Sequence, residues 1–120
     1  MAFKFENLKV WQKALDFDNE INNIVKDFPK EEIYVLTSQT KRAADSIVLN
    51  IAEGSTGQSN AEFNKFLGYA LRSAIEVVAC LYIAKNRNYL DKNTFSSLYA
   101  KAEEIIKMTQ ALRNSIKETR

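Results

Sequence analysis

The chain has 120 residues, 46% of them hydrophobic and 27% charged, which is enough for one globular domain and too little for two. Seventeen basic against fifteen acidic residues leave a net charge of +2, far from the concentrated basic signature of a protein built around phosphate contacts. Three Gly and one Pro supply too few turns for an all-β fold, and the single cysteine, Cys80, excludes an internal disulfide.

The start, "MAFKFENLKVWQKA", lacks the continuous apolar core of a signal peptide, and no apolar run approaches the roughly 20 residues of a bilayer span. A cytoplasmic helical protein is expected, forming a single domain over residues 1–120 with a short N-terminal arm of about residues 1–7.

Four helices follow from the periodicity. The first runs from about Leu8 to Asp27, with Val10, Ala14, Phe17, Ile21, Ile24 and Phe28 on one face and Trp11 and Leu15 widening it. Pro29 disfavours helical geometry at Phe28 and can start the next helix, whose positive end suits Glu31 and Glu32. That second helix is expected from about Lys30 to Glu53, with Ile33, Leu36, Ala43, Ile47 and Ile51 as its core stripe and Gly54 closing it in a left-handed conformation.

"GSTGQSN" is the flexible connection. Ser59 and Glu62 then have capping-box spacing, followed by Phe63, Phe66, Leu67, Ala70, Ala74, Val77, Leu81 and Ala84 at helical intervals. The pattern breaks at "NRNYLDKNT", where Asp91 is an N-cap for the fourth helix, marked by Phe95, Leu98, Ala102, Ile105, Thr109, Leu112 and Ile116. Short connections between helices of similar length predict an all-α, antiparallel up-down-up-down four-helix bundle.

The second helix carries more than a core stripe. Gln39, Arg42, Ser46, Asn50 and Glu53 recur at spacings of three or four and form a polar row, with Val35 and Leu49 on its far side and the solvent face around Ser38, Lys41 and Asp45. The row is either a solvated shoulder or a polar network at a helix or subunit contact. A buried network needs partners, because each unpaired group costs about 1–3 kcal/mol. Tyr69, Arg72, Ser73 and Glu76 of the third helix could supply them, with Arg42 pairing to Glu53 or Glu76.

Catalytic chemistry finds little to work with. The chain has no histidine, hence neither the commonest neutral-pH base nor the usual metal ligand, and no cofactor or metal site is expected. Glu31/Glu32 and Glu103/Glu104 are adjacent on helices and do not face one another. Cys80 reads as a buried packing residue, and "GSTG" is no complete phosphate-binding loop, because the lysine and hydroxyl residues of that motif are missing at the required spacing. A non-enzymatic protein is expected.

The stretches "FENLKVWQKA", "FPKEEIYVLTSQTKRAADSI", "NIAEG" and "EFNKFLGYALRSAIE" resemble the bacterial four-helix-bundle family associated with intervening sequences in large-subunit ribosomal RNA genes. The resemblance spans nearly the whole chain. It departs from the family's "RRAAVSIPSNIAEG" type of stretch at Lys41, Asp45, Val48 and Leu49, losing a proline and so favouring an uninterrupted helix. Gln39, Arg42, Ser46, Asn50, Glu53 and Gly54 are shared with it.

The resemblance implies a homo-oligomer, with homopentamers known in the family, and a role with RNA or DNA. Similar accessory proteins of diversity-generating retroelements imply a reverse transcriptase as one kind of protein partner. The expected function is a homo-oligomeric binding or scaffold protein acting on nucleic acid or a nucleoprotein. The alternative is a protein-interaction scaffold that does not touch nucleic acid.

Candidate phosphate contacts are Lys9, Lys13, Lys41, Arg42, Lys65 and Arg72, with Lys85, Arg87, Lys101, Lys107, Arg113 and Lys117 as further cations that assembly could gather. Phe3, Phe5 and Trp11 are candidate subunit anchors, or they close the end of their own bundle.

Overall fold

The computed structural model describes residues 2–118, and the side chains of residues 2–116; Met1 of the arm and the Lys117 side chain lie outside the described residues. Four helices, α1 (Lys9–Val25), α2 (Leu36–Ser55), α3 (Asn60–Asn86) and α4 (Lys92–Glu118), make an all-α molecule. Each helix packs on its neighbours in sequence and α1 closes against α4, with the α2–α3 seam the most extensive. This is the four-helix bundle that the periodicity implies, 46 × 22 × 22 Å in extent.

Short turns of 3-10 type precede α1 (Lys4–Asn7) and α2 (Lys30–Glu32). The α1 stripe buries Val10, Ala14, Phe17, Ile21 and Phe28, with Val25 rather than Ile24 in the core and Leu15 exposed. Such side chains contribute about 1.5–3 kcal/mol each when fully buried, so the stripe dominates the attachment of α1.

The second helix departs from expectation at both ends. It starts at Leu36, not Lys30. Pro29 does begin a helical turn, but only a short one, and Val35 adopts φ −122°, ψ −99° before α2 begins. Glu32 turns inward there and its carboxylate accepts the Leu36 N–H at 3.4 Å, while Ile33, expected in the core, is 47% exposed. β-Branched Ile33 and Val35 flank Tyr34 and add little helix propensity to resist the break.

At the other end Gly54 is not a left-handed terminus. No glycine among the described residues has positive φ, and α2 continues to Ser55. Gly54 is buried where α2 meets α3: a Cβ there would lie 2.6 Å from Phe66 Cβ and 3.1 Å from Phe63 Cδ1. The glycine is required by helix approach, not by backbone conformation. The helix is closed instead by hydroxyls, Ser55 donating to the Ala52 carbonyl (2.8 Å) and Thr56 to that of Glu53 (2.9 Å).

Ser59 caps α3 by accepting the Glu62 N–H at 3.1 Å, and Asp91 caps α4 by accepting that of Thr94 at 2.7 Å. Between them Asn88 takes φ 65°, the Tyr89 N–H reaches the Ala84 carbonyl (2.8 Å) and the Asn88 N–H that of Lys85 (3.0 Å). These are the paired bonds of a Schellman ending, with asparagine in the left-handed position.

By length and composition α3 is apolar enough to cross a membrane, contrary to the expectation that no segment approaches that limit. Its inner stripe, from Phe63 to Ala84, is buried in the bundle. Its outer surface keeps Tyr69, Ile75, Tyr82 and Ile83 exposed.

Candidate functional site

The three-four spacing of the polar row places it along the side of α2 that meets α3. Its middle forms a network across the seam: the Ser73 hydroxyl donates to Ser46 Oγ (2.9 Å), and Asn50 Nδ2 donates to both Ser46 Oγ (2.9 Å) and the Ser46 carbonyl (2.8 Å). Ser46, Asn50 and Ser73 are half-buried. Towards the start of α2, Gln39 Nε2 reaches Glu76 Oε2 at a long 3.4 Å.

Gln39, Arg42 and Glu53 are exposed. The row is therefore both things the sequence allows, a seam network in the middle and a solvated shoulder at its ends. Arg42 forms no ion pair with Glu53 or Glu76 among the described residues.

An open groove of about 630 Å³ is lined by Gln39, Arg42 and Ser46 from α2, Ser73 and Glu76 from α3, and Tyr34 and Val35 from the turn before α2. Tyr34 is 93% exposed, and Val35, Leu49 and Tyr69 are also open to solvent. The surface thus mixes Tyr and Arg with aliphatic side chains and both signs of charge.

The candidate phosphate contacts do not form one patch. Lys9 and Lys13 lie on α1, where Lys13 pairs with Glu104 of α4 at 3.3 Å. Lys65 sits over the Tyr69 ring at 5.9 Å, while Lys41, Arg42 and Arg72 are exposed on α2 and α3. Among the further cations, Lys85 lies 4.5 Å over Phe95, Lys101 pairs with Glu20, Arg87 with Glu32, and Arg113 Nε donates to Asn64 (3.1 Å).

In the arm, Phe3 stacks on Phe5 (5.9 Å) and Phe5 meets Trp11 edge-on (4.7 Å), so the arm rests on its own bundle with Phe3 57% exposed.

One polar cluster was not foreseen. Glu32, read as a helix-start charge, is buried and accepts from the Tyr89 hydroxyl (2.8 Å) and Arg87 Nη1 (3.0 Å). The Tyr89 bond, then the Leu36 N–H and Arg87, hold its carboxyl below the ordinary value against the opposing effect of burial. The signal in the sequence is topological: the turn after α1 and the turn after α3 fall at the same end of an up-down-up-down bundle.

Cys80 is buried, and that burial pushes its thiol up, away from the reactive thiolate. Among the described residues no three His, Cys, Asp or Glu side chains gather as a metal site.

No curated protein matches the chain. A crystal structure of a protein of unknown function from the S23 ribosomal protein family of Bacteroides thetaiotaomicron VPI-5482 is similar, with TM-score 0.82 and 29% identity over 88% of this chain and 95% of that one. The model of the family described as 23S rRNA-intervening sequence protein matches residues 6–111, and the chain belongs to that family.

Proposed function

We propose that the chain is a non-enzymatic scaffold that assembles with copies of itself and presents the α2–α3 groove to a nucleic-acid or nucleoprotein partner. The observation that carries this reading is the outer surface of α3, where Tyr69, Ile75, Tyr82 and Ile83 are 41%, 57%, 52% and 40% exposed. A helix apolar on so much of its circumference is ordinarily covered, and exposed aromatic and aliphatic side chains grouped on one element mark contact surfaces. Five copies is the number that the family resemblance implies.

Assembly would also repeat Arg42 and Arg72, so that a modest patch on one copy gains avidity for a phosphate backbone. The non-enzymatic part of the reading rests on a chain without histidine whose one thiol is buried.

Sedimentation of the full chain tests the assembly, with Ile75→Glu and Tyr82→Glu as probes whose helicity is checked by circular dichroism. The wild type is expected to sediment as an oligomer and the variants as smaller species. A wild type that stays monomeric at its highest soluble concentration overturns the reading.

Titration against structured RNA, single-stranded RNA and duplex DNA at low and near-physiological salt tests the partner. Binding with a steep salt dependence, weakened by Arg42→Glu with Arg72→Glu, is expected. An oligomer that binds none of the three even at low salt redirects the groove to a protein partner, the second reading of a scaffold without nucleic acid.

A further inference from the structure

The turn before α2 shows three consecutive apolar side chains to solvent, Ile33, Tyr34 and Val35, with Tyr34 93% exposed. Large apolar residues exposed singly are ordinary, but three in succession make a patch. The turn that carries them is held in place. The Ile33 N–H donates to the Lys30 carbonyl (3.1 Å) and the Val35 N–H to that of Glu32 (3.0 Å). The Glu32 carboxylate is itself fixed by the Tyr89 hydroxyl (2.8 Å) and Arg87 Nη1 (3.0 Å) from the turn after α3. The buried carboxylate thus fixes the turn that displays Tyr34, and an anchor ordered beforehand loses less freedom on binding.

A second apolar surface lies on another face of the bundle. Along the α3–α4 seam Ile75, Val78, Tyr99 and Ile106 line a groove of about 310 Å³, with Glu103 and Lys107 also in its lining. Its size is at the lower end for a small-molecule site, and its apolar lining suits an inserted side chain. Tyr34 and Val35 border the α2–α3 groove instead, so the two surfaces do not meet within one copy.

Resting on the self-assembly proposed above, we infer that residues 33–35 of one copy form a knob that seats in the α3–α4 groove of the next, with Tyr34 as its anchor. Tyrosine is among the commonest anchors of protein contacts, since it brings a large apolar area and few rotatable bonds. Charge selects a second copy as the occupant. Lys30 and Glu31 are exposed beside the knob, Glu103 and Lys107 are exposed at the groove, and none of the four forms an ion pair among the described residues. Docking offers Lys30 the next copy's Glu103, and Glu31 its Lys107, which orients the contact. Knob and groove are different surfaces, so the contact runs head to tail, and every copy offers one of each until a ring closes.

Sedimentation of full-length Tyr34→Glu and Ile75→Glu, alone and mixed in equal amounts, tests this pairing. Each variant alone is expected to be monomeric, the first without a knob and the second without a groove. The mixture retains one productive contact, the knob of Ile75→Glu in the groove of Tyr34→Glu. It is therefore expected to give a species of twice the monomer mass and nothing larger. An oligomeric wild type whose size survives either substitution overturns the pairing and leaves the assembly standing. So does a mixture that restores no dimer, the result expected if like faces meet like. A monomeric wild type removes the assembly and this contact with it. Both positions are exposed, and circular dichroism checks their helicity; if a glutamate variant does not fold, Tyr34→Ser and Ile75→Ser carry the same mixing experiment to the same outcomes.

Discussion

Replacing Gly54 with alanine should destabilise the bundle, although alanine is the better helix former. The added Cβ would stand 2.6 Å from Phe66 Cβ and 3.1 Å from Phe63 Cδ1. Carbon atoms rest at about 3.5–4.0 Å, so α2 and α3 must part by about 1 Å at this end, because Phe66 Cβ is fixed to its backbone and cannot swing away. Overpacking of this kind costs about 1–3 kcal/mol, against a helix-propensity gain of about 1 kcal/mol, for a net loss of up to about 2 kcal/mol.

Gly68 provides the internal comparison. It is also helical, but a Cβ there would meet only the Arg113 guanidinium, at an ordinary 3.5 Å. Gly68→Ala should therefore gain up to about 1 kcal/mol. Urea unfolding of the three proteins, with unchanged slope, reads both numbers from the midpoints. A Gly54→Ala protein as stable as Gly68→Ala would refute the claim that Gly54 sets the α2–α3 distance.

Three further outcomes follow from the described contacts. Ser73→Ala should cost about 0.5–1.5 kcal/mol and Ser46→Ala more, since Ser46 Oγ also accepts from Asn50, while the double variant should cost about as much as Ser46→Ala alone because the two share one cross-seam bond; additive losses in a thermodynamic cycle would show that the hydroxyls do not pair. Tyr89→Phe should be less stable than wild type near neutral pH. The gap should narrow as pH falls through the lowered Glu32 pKa, since a depressed carboxyl stabilises the fold above its unfolded value and ceases to once protonated; a gap that persists in acid would count against the bond. Ser59→Ala should cost about 0.5–2 kcal/mol, read from thermal unfolding, with no loss if another group takes the Glu62 N–H.

Helix number, order and most of the core were legible because burial repeats with the helical period: Phe63, Leu67, Ala70, Ala74, Val77, Leu81 and Ala84 are all buried, and the α4 stripe is buried except for half-buried Leu112. The caps at Ser59 and Asp91 were legible for a related reason, since each depends on residues three apart. What escaped depends on which residues meet across a seam. Spacing exposed the polar row, but its division into a half-buried, bonded middle and exposed ends depends on Ser73 and Glu76 arriving at particular heights.

Gly54 shows the same limit in another form. A glycine near a helix end reads equally well as a left-handed terminus or as a place where two helices touch, and only the neighbour Phe66 decides. Glu32 was misread because Pro29 announces a helical turn without revealing that Tyr89, 57 residues away, will draw its carboxylate inward.

The α2–α3 seam also gives folding a direction. Its two helices are joined by residues 56–59 alone, and its polar bond links positions 27 apart in sequence, whereas the α1–α4 contact between Glu20 and Lys101 spans 81. Closing the shorter loop surrenders less chain entropy, so the helical hairpin of α2 and α3 is the favoured nucleus and α1 the late arrival. Substitutions at Ser46 or Gly54 are then expected to slow folding, and substitutions at Phe17 of α1 to hasten unfolding. The surface read here as the contact face would be shaped before the molecule is complete.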